Sequence, residues 1–123
     1  MPSAIVVDDS RAIRMILSRT LRQLGYEVRE AGNGSDALAA LSSGPPPSLV
    51  MADWNMPVMD GLELLRRIRA SAEHSAIPVV MVTTEAEVDQ MALALEAGAT
   101  EYIMKPFTAE ILADKLRMIG LVE

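Results

Sequence analysis

Four short apolar runs in this chain each end at side chains that could do chemistry. The side chains are Asp8 and Asp9 after residues 4–7, Asp53 after 49–52, Thr83 after 79–82 and Lys105 after 102–104. If the runs are neighbouring parallel strands, their carboxyl ends lie at one edge of a sheet, where open α/β sheets bind ligands. Three carboxylates, a hydroxyl and an amine together suggest a divalent metal beside a phosphoryl group.

The three carboxylates favour a magnesium site. Asp8, Asp9 and Asp53 supply the hard oxygen donors that Mg²⁺ prefers. Carboxylates within about 5 Å of one another repel by roughly 3 kcal/mol per pair at an effective dielectric constant near 20, and a divalent cation offsets that cost. Asp8 and Asp9 alone are explained equally well as acids that begin a helix. The equivalent strand-end positions of Asp53 and Lys105 favour the metal.

Length and composition indicate one globular domain spanning residues 1–123, half of which are hydrophobic. The net charge of −6 disfavours direct binding to nucleic acid or an anionic membrane. No apolar run approaches the roughly 20 residues of a membrane span, and the first residues do not form a signal peptide. The absence of cysteine fits a reducing compartment, so we expect a cytoplasmic protein. We also expect it to be a monomer.

Apolar periodicity alternates between short β-branched runs and longer amphipathic segments. The strands are predicted at about 4–7, 27–31, 49–52, 79–82 and 101–104, and the helices at about 13–24, 35–41, 60–69, 88–97 and 109–118. Strand runs that are apolar throughout indicate a sheet that is buried on both faces. The pattern therefore predicts a doubly wound α/β domain with a five-stranded parallel sheet.

The motifs at these strand ends resemble those of response-regulator receiver domains, and especially those of single-domain chemotaxis regulators. They are VVDDS at 6–10, DWNMPVMDG at 53–61, VT at 82–83 and KPF at 105–107. Each motif is weak evidence alone, but all four in this order and spacing are specific. The resemblance covers essentially the whole chain and implies a flavodoxin-like (βα)5 fold with strand order 2-1-3-4-5.

The resemblance also implies roles for the site residues. Asp53 would accept a phosphoryl group from the phosphohistidine of a histidine kinase or phosphotransfer protein. Asp9, Asp53 and the backbone carbonyl of Asn55 would bind Mg²⁺ directly, and Asp8 would act mainly through bound water. Lys105 would pair with a phosphoryl oxygen, so catalysis would consist of positioning and electrostatics.

Thr83 and Tyr102 would form the switch by which receiver domains report phosphorylation. The Thr83 hydroxyl would bond to a phosphoryl oxygen and vacate space into which the Tyr102 ring swings. Without the motif, a threonine in a strand and a tyrosine at the border of the core need no functional role.

The segment 88–97 is apolar over a wider arc than one core contact needs, which indicates a partner surface. The predicted output surface comprises Val88, Met91, Leu95, Tyr102 and Met104. A helix that is simply buried more deeply is the alternative. The resemblance implies a flagellar motor-switch protein as a candidate partner, although Glu87 and Val88 replace the lysines that are frequent at the start of this helix.

We expect a stand-alone regulator, because the chain begins at Met1 and ends early at Glu123. A receiver domain of a larger regulator with a DNA-binding or enzymatic output is the first alternative. A Mg²⁺-dependent aspartate phosphohydrolase is less favoured, because its nucleophile lies on the first strand in an Asp-x-Asp arrangement.

Five basic or titratable residues lie outside these motifs, and for them we predict only where the side chains lie. We expect His74 at the surface, in a loop before the fourth strand. The arginines of the first helix are expected on a solvated face or against an acidic partner. Those arginines are Arg11, Arg14, Arg19 and Arg22.

Overall fold

Five parallel strands alternate with five helices within residues 2–84 and 89–122, which the computed structural model describes. The strands are β1 (Ser3–Val7), β2 (Glu27–Ala31), β3 (Leu49–Asp53), β4 (Val79–Thr83) and β5 (Glu101–Met104). The helices are α1 (Arg11–Gln23), α2 (Gly34–Ser42), α3 (Gly61–Ala70), α4 (Met91–Glu96) and α5 (Ala109–Met118). The sheet order is β2-β1-β3-β4-β5, which confirms the predicted fold.

Helices cover both faces of the sheet, which explains why the central strands show no alternation of apolar and polar residues. All residues of β3 and β4 are buried. One face of the sheet packs against α2, α3 and α4, and the other face packs against α1 and α5. Among residues 2–84 and 89–122, no helix combines the length and the apolar composition that crossing a bilayer requires.

Side-chain caps begin four of the helices close to the strand ends. Ser10, Asn33, Asp60 and Thr108 each accept a hydrogen bond from the backbone N–H three residues later. Such caps stabilise a helix by roughly 1 kcal/mol each, because they satisfy a backbone donor that the helix leaves unpaired. The predicted start of the fourth helix, at residue 88, lies outside the described residues.

The register of the strands places the predicted site residues at equivalent heights, near the carboxyl ends of neighbouring strands. Val7, the last residue of β1, is opposite Ala52, so Asp8 and Asp53 both follow this pair. On the other side, Asp53 is opposite Val82, the neighbour of Thr83. Thr83 is in turn opposite Met104, and Lys105 comes next in the chain. The parallel pairing therefore gathers four strand ends at one edge of the sheet.

Candidate functional site

Lys105 lies between the two buried carboxylates of the site. Its Nζ donates to Asp8 Oδ2 at 3.2 Å and to Asp53 Oδ1 at 3.1 Å. Asp8 is 1% exposed and Asp53 is 7% exposed. Burial by itself lowers the pKa of Lys105, but the charges of Asp53 and Asp8 and the hydrogen bonds to them outweigh burial, so the pKa is raised. Lys105 is therefore a cation at neutral pH.

Asp9 completes a cluster of three carboxylates with Asp8 and Asp53. One oxygen from each residue lies within 4.8 Å of the others, and Asp9 is the exposed member. Asp8 is also fixed by its own loop, since its Oδ1 accepts a hydrogen bond from the backbone N–H of Ser10 at 2.8 Å. An all-oxygen donor set with two buried carboxylates and one facing solvent fits a hard divalent cation that keeps some of its water.

Asn55 lies on the loop that leaves β3, two residues beyond Asp53, and its side chain is exposed. Nearby, the backbone N–H of Trp54 donates to Val82 O at 3.0 Å, which continues the pairing of β3 with β4 past Asp53. The role of the Asn55 carbonyl as a metal ligand stays a prediction.

Thr83 carries a buried hydroxyl at the end of β4, the strand next to the one that ends at Asp53. The residue is 1% exposed, and its Oγ1 has no hydrogen-bond partner among the residues of the described ranges. A buried polar atom without a partner costs roughly 1–3 kcal/mol. The Thr83 carbonyl accepts from the backbone N–H of Lys105 at 2.6 Å, so the two residues are held side by side. The Thr83 hydroxyl is thus a donor that the described part of the protein does not use.

The two predicted output residues that lie on α4 differ in exposure. Met91 is 8% exposed, and it lies with Ala94 on the buried side of the helix. Leu93 and Leu95 are 46% and 48% exposed. The prediction that Met91 is exposed to a partner is therefore corrected. Spacing shows that Met91 and Leu95 are neighbours on the helix, but it does not show which of them meets the sheet.

The other predicted output residues lie on β5 or outside the described ranges. Tyr102 is partly buried and Met104 is 36% exposed. Val88 is outside the described residues. The exposed apolar residues of this side that the structure describes include Leu93, Leu95 and Met104.

The structure places two residues in new roles. Arg14 was expected on a solvated face, but its Nη1 donates to the backbone carbonyl of Asp8 at 2.7 Å and its Nε lies 3.3 Å from Glu30 Oε1. Gly61 contacts β3 so closely that a Cβ there would lie 2.3 Å from the backbone oxygen of Asp53. A glycine directly after an N-cap aspartate was the sequence signal for that close approach.

His74 was expected at the surface, and this prediction is wrong. Its side chain is buried, and its Nδ1 lies 3.2 Å from Ser71 Oγ in the turn that follows α3. The contact between the ring and the hydroxyl closes this turn. It positions the loop before β4 and does not position the acidic cluster.

Comparison with known proteins places this architecture among receiver domains. The family model of the response regulator receiver domain matches residues 4–117. The chain is 41% identical over 116 residues to the chemotaxis protein CheY1 of Helicobacter pylori, covering 94% of each protein. The solved structure of the chemotaxis response regulator CheY4 of Vibrio cholerae matches with a TM-score of 0.89 and 35% identity, over 97% of this chain and 98% of that one.

A second solved structure bears on the metal. It is the receiver domain of a sensor histidine kinase from Pseudomonas aeruginosa, determined with a magnesium ion coordinated in its active site cleft. It matches with a TM-score of 0.85 and 28% identity, over 97% of this chain and 98% of that chain.

A doubly wound parallel sheet with an acidic pocket and a lysine at its carboxyl edge is the architecture of the receiver class. The chain belongs to the response regulator receiver domain family. Within that family it is a receiver domain of the CheY type. Receiver domains typically bind Mg²⁺ at such a pocket and interact with histidine kinases and phosphotransfer proteins.

Proposed function

We propose that residues 1–123 form a single, monomeric, cytoplasmic receiver domain that is phosphorylated on Asp53 by a histidine kinase or phosphotransfer protein of a chemotaxis system. The contact of Lys105 Nζ with both Asp53 and Asp8 carries the proposal. It places a permanent positive charge against the carboxylate that would receive the phosphoryl group. Membership of a larger regulator with its own output domain is the alternative, and the site chemistry is the same in both cases.

The proposed reaction needs no general base. An Asp53 carboxylate oxygen attacks the phosphorus of a phosphohistidine, and an O–P bond forms as the P–N bond breaks. The bonding electron pair leaves with the imidazole nitrogen, and the product is an acyl phosphate. Lys105 would exchange its hydrogen bond with Asp53 for one with a phosphoryl oxygen, and would so neutralise charge during the transfer.

Asp8, Asp9 and Asp53 would hold Mg²⁺, with Asp9, Asp53 and the Asn55 carbonyl as direct ligands and Asp8 acting through water. The ion would neutralise the phosphoryl oxygens and orient them for in-line transfer. The oxygen donors within 4.8 Å of one another support this assignment. So does the magnesium ion in the cleft of the Pseudomonas aeruginosa receiver domain.

Thr83 and Tyr102 would convert phosphorylation into a change of surface. The Thr83 hydroxyl, which bonds to no residue of the described ranges, would donate to a phosphoryl oxygen, and its movement would open space for the Tyr102 ring. The output surface would be formed by α4, β5 and α5, with Leu95, Tyr102 and Met104 among its residues. A flagellar motor-switch protein would be its partner if the protein acts in chemotaxis, as its named relatives do.

The test uses Trp54, the single tryptophan of the chain, which is 9% exposed and directly follows Asp53. We expect Mg²⁺ to change its fluorescence, and beryllium fluoride, a phosphoryl mimic, to change it further in the presence of Mg²⁺. Sodium fluoride without beryllium is the control and should have no second effect. The proposal fails if the fluorescence responds to neither addition.

Asp9→Asn is expected to weaken Mg²⁺ binding at least about tenfold, because it removes a direct ligand. The same change should raise the metal-free stability by up to about 1 kcal/mol, since Asp9 is exposed and its repulsion is partly screened. Asp8→Asn should lack this gain, because Asp8 pairs with Lys105. Urea denaturation with and without Mg²⁺ measures both effects. A metal-free Asp9→Asn variant less stable than the wild type would contradict a crowded acidic pocket.

A further inference from the structure

Glu101, Tyr102 and Lys115 form a closed set of contacts between β5 and α5, called here the tyrosine clamp. Glu101 Oε1 accepts a hydrogen bond from the backbone N–H of Tyr102 at 2.9 Å. Lys115 Nζ lies 3.6 Å from the same oxygen and 4.9 Å from the centroid of the Tyr102 ring. The lysine is therefore bound to the carboxylate and lies over the ring at the same time.

The surroundings make these contacts stronger than ordinary surface pairs. The Lys115 and Glu101 side chains are 28% and 20% exposed, so solvent screens their charges only in part. The carboxylate is itself oriented by the Tyr102 backbone, which limits where the ammonium can lie. A lysine held over the face of an aromatic ring attracts it through the ring quadrupole. The ring is thus held by a charge that comes from another element of the fold.

We propose that the tyrosine clamp holds the Tyr102 ring in the position described here, and that Lys115 is a positioning residue that sets how readily the switch changes state. The inference rests on the proposed function, because it assigns Tyr102 to the switch. In the structure, the Tyr102 ring has this position while the Thr83 hydroxyl bonds to no described residue. Weakening the clamp should therefore favour the state in which that hydroxyl engages a phosphoryl oxygen.

Lys115→Gln is the decisive change, because it removes the charge from the ring. We expect half-maximal response at a beryllium fluoride concentration about two- to fivefold lower than in the wild type, in saturating Mg²⁺. The readout is the ¹⁹F signal of Tyr102 in protein labelled with 3-fluorotyrosine. The chain has two tyrosines, and Tyr26→Phe assigns their signals.

Three variants act as controls for the charge. Lys115→Arg keeps a cation and should behave as the wild type. Glu101→Gln keeps an acceptor for the Tyr102 amide but loses the ion pair. Its midpoint should shift in the same direction as that of Lys115→Gln, but by a smaller amount. Arg117→Gln also removes a positive charge from α5, but that guanidinium pairs with Asp114 at 2.8 Å, so the midpoint should not change.

A Lys115→Gln midpoint equal to or above the wild-type value would overturn the inference, as would Lys115→Arg behaving like Lys115→Gln. Failure of the proposed switch looks different: the Tyr102 signal of the wild type would not respond to beryllium fluoride at all. In that case, the ¹⁹F signal of Tyr102 in the protein without beryllium fluoride still tests the clamp. Lys115→Gln must move that signal and Arg117→Gln must leave it in place, and any other result overturns the clamp.

Discussion

Asp53→Asn is expected to lower the rate of phosphorylation by acetyl phosphate by more than about a thousandfold, because an amide cannot act as the nucleophile. The measurement is the intact mass of the protein after incubation with acetyl phosphate and Mg²⁺, followed over time. The wild type should gain the mass of one phosphoryl group, and the gain should disappear under alkaline conditions that hydrolyse an acyl phosphate.

Asp60→Asn is the matched control for this loss. Asp60 ends the loop that follows Asp53, and its side chain caps α3 by accepting from the backbone N–H of Glu63 at 2.9 Å. Asparagine caps a helix as well as aspartate does, so the fold and the phosphorylation rate should both be retained. Phosphorylation of Asp53→Asn at a rate close to the wild type would show that another residue is the acceptor.

Gly61→Ala is expected to destabilise the protein by about 3 kcal/mol, because the new methyl group has no space. A Cβ at this position would lie 2.3 Å from the Asp53 backbone oxygen and 2.7 Å from Met81 Cε. The methionine end can move aside, but the backbone of β3 is held by the sheet on both sides. The denaturation midpoint in urea measures the loss.

The same substitution should also slow phosphorylation, since it pushes on the residue that carries the nucleophile. A small displacement of a reacting group can cost about a hundredfold in rate. Gly44→Ala is the control: a Cβ there meets Arg29 Nη1 at 3.5 Å, an ordinary contact, and stability should change by less than about 0.5 kcal/mol. Equal stability of the two variants would contradict the tight approach of α3 to β3.

Local sequence patterns predicted the helices and strands well, because each helix or strand depends on residues close together in the chain. The predicted bounds of β2, β5 and α5 agree with the structure, and those of α2 differ by one residue at each end. The functional strand ends followed from the same reasoning, since parallel strands share one carboxyl edge. The failures concern side chains whose burial or partners depend on how the chain packs, namely Arg14, His74 and Met91.

The α/β class and the chemistry at the strand ends follow from the amino-acid sequence alone, because apolar periodicity and residue type are local properties. The folded arrangement was needed to show that Lys105 Nζ contacts both Asp8 and Asp53, because that contact depends on register across several strands. The same holds for the burial of Met91 on α4 and for the position of Lys115 over the Tyr102 ring. Both follow from how a helix is rotated against the sheet, which is set by packing of the whole core rather than by the helix's own residues.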